Sequence, residues 1–102
     1  MDGRIRDQDA AERLGQNVLT ARRRAGFSQE ELGALAGLHR TEIGFVEGGR
    51  RLPRADTLIK LSSALGVDAG ELLAGVHWIV PAPSRPGHFS IRSRALRGGA
   101  NA

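Results

Sequence analysis

A chain of 102 residues, 40% of them hydrophobic and 25% charged, has the size and composition of one soluble domain. It has no cysteine, which excludes a disulfide framework, a thiolate metal site and a cysteine nucleophile, and no apolar run approaches a membrane span. The net charge of +4 is uneven: residues 13–60 carry nine basic against five acidic groups and residues 76–102 carry four arginines and no acid, whereas 1–12 and 61–75 are each net −2. Basic zones on a small domain point towards an anionic polymer, nucleic acid above all, with a merely solvated surface as the alternative.

Residues 1–8 are expected to be a flexible N-terminus; Met1 to Glu12 is polar and acid-rich and reads as no secretory leader, so the chain is expected to be cytoplasmic. A first helix is predicted over Asp9 to Ala25, because Asp9 and Glu12 have capping-box spacing and Leu14, Val18, Ala21 and Ala25 recur as an inward stripe. Gly26 stops it. Ser28 and Glu31 form a second capping box, with Phe27 and Leu32 as its hydrophobic staple, and Leu32, Leu35 and Ala36 face inward until Gly37 breaks the helix. Only Gly37 and Leu38 separate this from a third helix, His39 to Glu47, so the two pack at a steep angle. Gly48-Gly49 ends it.

The basic loop Arg50-Arg51-Leu52-Pro53-Arg54 leads to a fourth helix, about Ala55 to Leu65, with Leu58, Leu61 and Leu65 inward. Asp68 and Glu71 repeat the capping-box spacing for a short fifth helix, with Val67 and Leu72 as staple and Gly75 as stop. Beyond it Pro81, Pro83 and Pro86 separate two short strands, Val76 to Val80 and His88 to Arg92. A lone hairpin is marginal in water, so it must pack on the helices or on another copy of the chain. Residues 93–102 read as a disordered basic tail, in which Arg94 and Arg97, with Arg92, form an arm able to add non-specific DNA affinity.

Two short helices joined by a glycine turn inside an all-α, five-helix domain of residues 9–75 have helix-turn-helix geometry. The residues Ser28-Gln29-Glu30-Glu31-Leu32-Gly33, Ala36-Gly37-Leu38, Ile43, Val46-Glu47-Gly48-Gly49, Pro53, Leu58 and Leu65-Gly66-Val67 resemble the phage-repressor-like (Cro and phage-repressor type) helix-turn-helix family, the XRE family. The resemblance covers roughly residues 13–74 and leaves out the tail. It implies a sequence-specific regulator of transcription that binds double-stranded operator DNA, as a homodimer, through helix 3 in the major groove. It also implies that Gln29 holds a DNA phosphate and that Arg22 pairs with Glu47 between helix 1 and the end of helix 3. Two positions depart from the pattern: Gly33 stands where alanine is usual, and Gly44 offers no side chain to a base.

On a wheel of about 100° per residue, Ile43, Val46 and Glu47 share one side of helix 3, while Thr41, Gly44 and Phe45 point the other way with Arg40 at the edge. Arg40 is then the candidate for a bidentate contact to guanine, with a plain phosphate contact as the alternative. Thr41 can meet a base through its hydroxyl or methyl group, Glu42 can accept from cytosine N4, and Phe45 can touch a thymine methyl, unless its ring packs beside the next helix. His39 either caps helix 3 or touches a phosphate. Arg50, Arg51 and Arg54 are candidate phosphate clamps.

His39, His77 and His88 share no metal-ligand spacing, no phosphate-binding glycine loop is present, and neither a cofactor nor catalysis is expected. The competing reading is an antitoxin-like protein-interaction module whose hairpin, residues 76–92, holds a partner around Trp78 and Phe89. The alternating apolar residues of the two strands suit self-association equally, or folding back over helices 1 and 5.

Overall fold

A computed structural model describes the backbone of residues 3–92 and the side chains of residues 8–92. Five helices precede a two-stranded antiparallel sheet: α1 (Gly3–Ala25), α2 (Gln29–Ala36), α3 (Arg40–Glu47), α4 (Ala55–Leu65), α5 (Ala69–Leu72), β1 (Val76–Ile79) and β2 (His88–Ile91). Leu14 and Val18 of α1, Leu32 and Ala36 of α2, Ile43 and Val46 of α3, Leu61 of α4 and Leu72 of α5 form one core, with Phe27, Leu38, Leu52, Leu58, Leu65 and Val67 packed around it. No described helix is long and apolar enough to cross a membrane.

The first helix corrects the expectation most. It starts at Gly3, so Asp9 is an interior residue and no N-cap, and residues 3–8 are helical. Two residues three apart fit a capping box, but they also fit one face of a continuing helix. Where the added residues join the expected helix, Ala10 and Ala11 are buried and Gln8 Nε2 donates to the Gly49 carbonyl at 2.9 Å. Ala25, expected on the inward stripe, is exposed.

The second helix starts as expected. Glu31 N donates to Ser28 Oγ at 3.0 Å and Ser28 N donates to Glu31 Oε1 at 2.7 Å. Leu35, however, is 59% exposed, whereas Leu32, Gly33 and Ala36 are buried. Gly33 is the reason. The turn folds back so closely that a Cβ at Gly33 would lie 2.5 Å from the Leu38 carbonyl oxygen. That contact rolls α2 towards Gly33 and carries Leu35, on the other flank of Leu32, out into solvent.

Asp68 stands at the N-cap of α5 without a side-chain cap bond, because Glu71 N donates to its backbone carbonyl at 2.9 Å. A single tight turn satisfies the amide that a longer helix leaves to the cap side chain. The strands pair Val76 with Ile91, His77 with Ser90, Trp78 with Phe89 and Ile79 with His88. Val80 and Arg92 fall just outside them. The hairpin folds back along α1: Arg13 donates to the Arg92 carbonyl at 3.1 Å, and Asn17 Nδ2 donates to the carbonyls of Leu72 and Ala74 at 3.0 and 2.9 Å. Trp78 meets Phe89 edge to face, 5.3 Å between centroids. The expected tail, 93–102, lies outside the described residues.

The two unusual glycines respond oppositely to alanine. A Cβ at Gly44 meets only Gln29 Oε1, at an ordinary 3.8 Å. Gly44→Ala is expected to raise unfolding stability by about 1 kcal/mol, the helix-propensity gain. Gly33→Ala is expected to lower it by about 1 kcal/mol or more, because backbone must move. Urea denaturation of both variants measures the two signs.

Candidate nucleic-acid interface

Six of the eight residues of α3 fall on a buried or an exposed side, and Gly44 and Glu47 are half-buried. Ile43 and Val46 are buried, while Arg40, Thr41, Glu42 and Phe45 are exposed, Phe45 by 51%. An amphipathic helix this short has little propensity-derived stability, so its ends and its partners hold it.

At the N-terminus, His39 Nδ1 accepts from Thr41 N at 3.0 Å. That use of the lone pair puts the proton of the neutral ring on Nε2. At the C-terminus the chain stops on a left-handed glycine: Gly49 has φ +70°, Gly49 N donates to Val46 O at 3.1 Å and Arg50 N to Phe45 O at 3.4 Å. These two bonds are the paired closures of a Schellman stop.

Against this end α1 packs backbone to backbone. A side chain at Gly15 would run into the carbonyls of Val46 and Glu47, and one at Gly49 would lie 2.8 Å from Glu12 Cα. Neither close approach follows from the helical stripe, although a glycine inside a helix was the available signal.

Glu47 joins three elements. Arg22 of α1 donates to it twice, Nε to Oε2 at 2.6 Å and Nη2 to Oε1 at 3.1 Å, and Gln29 Nε2 of α2 donates to Oε1 at 2.9 Å. Arg22 Nη1 also donates to the Phe27 carbonyl at 2.8 Å. The Arg22 and Glu47 side chains retain 12% and 5% of their surface. Hydrogen bonding to Glu47 raises the Arg22 pKa above its ordinary value, against the opposing effect of burial. The Gln29 side chain thus points at Glu47, with one of its amide hydrogens engaged there.

The other expected clamps lie on the surface. Arg50 and Arg51 are exposed, and the Arg50 guanidinium sits 5.5 Å from the Phe45 ring centroid. Arg54 faces Asp56 at 3.5 Å, with both side chains mostly in solvent, where such a pair contributes little. His39, Thr41, Glu42, Phe45, Val46, Arg50 and Arg51 line one open groove of about 650 Å³. The structure therefore gathers Thr41, Glu42 and Phe45 of α3 and Arg50 and Arg51 of the basic loop around one concavity, while Arg40 and Arg54 stand outside its lining.

Glu47→Ala leaves Arg22 buried without its carboxylate and Gln29 without its acceptor. The expected loss of stability is about 3–5 kcal/mol, measured by urea denaturation.

A sequence model of the Helix-turn-helix family matches residues 18–72, ending before the hairpin. Control protein C.SmaI of Serratia marcescens is 42% identical over 72 residues, covering 71% of this chain and 86% of that protein. The restriction-modification controller protein C.AhdI from Aeromonas hydrophila superposes with a TM-score of 0.62 at 35% identity, covering 64% of this chain and 94% of that one. The P22 c2 repressor in complex with a synthetic operator gives a TM-score of 0.55 at 25% identity, covering 58% of this chain and 89% of that one. The chain belongs to the helix-turn-helix family, of the phage-repressor or XRE type.

Proposed function

We propose that the protein is a regulator of transcription that binds operator DNA as a homodimer, each copy laying α3 in a major groove. The observation that carries this reading is the exposed edge of α3, set on a helix keyed to the core by Glu47 and bordered by the basic loop. A B-DNA major groove, about 12 Å wide, accepts an α-helix, and the first residues of such a helix reach base edges. Arg40 and Thr41 occupy that first turn, with Glu42 at its flank.

Phosphate contacts would come from Arg51 and Arg54, from His39 through its Nε2–H, and from the N-terminus of α2. There Gln29 contributes its backbone N–H and its second amide hydrogen. The likeness to control proteins and to a repressor in complex with a synthetic operator supports the same reading. A two-fold dimer would set its recognition helices about 34 Å apart, one turn of the duplex.

Selection of bound duplexes from a random pool tests this, with a palindromic consensus as the expected result and no enrichment as the result that overturns it. Arg40→Ala is expected to relax preference at one base pair by about 1–3 kcal/mol. Arg51→Ala is expected to weaken all duplexes alike and to lower the slope of log K against log salt by about 1. Fluorescence titrations across a salt series separate the two.

A further inference from the structure

The second turn of α3 presents no hydrogen-bonding side chain of its own to a base. Ile43 and Val46 are buried, Gly44 has no side chain, Phe45 is apolar, and Glu47 is engaged by Arg22 and Gln29. The donor stationed beside that turn comes from the loop. The helix stop brings it there: with Gly49 left-handed and Arg50 N bonded to Phe45 O, the residue after the stop lies back against the residue three before the cap. In a Schellman stop that contact is ordinarily between two apolar side chains. Here it is the Arg50 guanidinium at 5.5 Å from the Phe45 ring centroid.

We infer that Arg50 is a base-reading residue, held on the reading face by Phe45, which specifies a guanine beside a thymine in the half-site. This rests on the operator-binding reading and replaces the role of Arg50 as a phosphate clamp. A guanidinium held over a ring at that distance is attracted by the ring's quadrupole and spends none of its N–H donors on the contact. Paired donors are what a bidentate contact to guanine O6 and N7 requires. The contact also orders a long side chain before DNA arrives, which removes part of the entropic cost of fixing it in the complex. The Phe45 ring, half exposed in the groove with Thr41 and Glu42, is left to meet the methyl group of the adjacent thymine.

The test is selection from a random duplex pool with the intact wild-type chain, Arg50→Lys, Arg50→Met and Phe45→Leu, followed by titration of the selected site and its single-base variants across a salt series. Lysine keeps the charge that a phosphate needs but loses the fork. Methionine keeps the apolar contact of the helix stop, which a thermal unfolding midpoint verifies. The expected result is that Arg50→Lys and Arg50→Met each lose about tenfold discrimination for one guanine, with Arg50→Lys keeping the wild-type salt slope. Phe45→Leu is expected to weaken that same preference and the neighbouring thymine preference together. The proposal is overturned if Arg50→Lys retains every base preference while Arg50→Met weakens all duplexes alike, the signature of a phosphate clamp. A wild-type chain that enriches no duplex overturns the operator-binding reading as well.

Discussion

The ion pair between Arg22 and Glu47 is the constraint from which the rest of the site follows. Two charges with so little exposed surface are costly to take out of water, and their mutual attraction offsets that only when the remaining donors and acceptors are met. Here they are met: two arginine nitrogens and the Gln29 amide converge on one carboxylate, and the third arginine nitrogen finds the Phe27 carbonyl. The network ties α1, the entry to α2 and the last residue of α3. A helix of eight residues fixed at its last residue cannot roll, so the choice of which side chains face outward is made at Glu47 as much as by Ile43 and Val46.

Glycines make this arrangement sterically possible. Gly15 lets α1 rest directly on the carbonyls that end α3, Gly49 lets the following turn rest on Glu12, and Gly33 lets the turn between α2 and α3 close. Each takes a place where a methyl group would collide with backbone, and backbone yields at a higher cost than a flexible side chain. Gly44 differs in kind. It has space around it, so its helix-weakening effect has no packing compensation.

The long first helix is the common support. It carries Gln8 and Gly15 against the end of α3, and its Arg13 and Asn17 bind the carbonyls that lead into and out of the hairpin. The helix-turn-helix and the hairpin are therefore both packed against one long helix. Within the hairpin, His77 Nε2 is buried with no hydrogen-bond partner, whereas Trp78 and Val80 remain largely in solvent. Its apolar alternation is thus only partly used by the fold.

Local signals were legible wherever the structure is decided within a few residues. Ser28 and Glu31 cap α2, Gly37 turns the chain, α4 runs from Ala55 to Leu65, and the strands bracket the Pro-rich loop, because caps, left-handed glycines and alternation act over two to four positions. The division of α3 into a buried and an exposed side was equally legible, since Ile43 and Val46 declare it. What the sequence left undecided is everything set by contacts between distant segments. The packing of α1 ahead of Asp9 involves Gln8 reaching Gly49, the exposure of Leu35 a glycine at the turn, the aim of Gln29 a carboxylate eighteen residues away, and the placing of Arg50 a stop that returns it to Phe45. Periodicity records which face of an element is apolar, whereas the roll of that element and the reach of its polar side chains are settled only when the neighbours arrive.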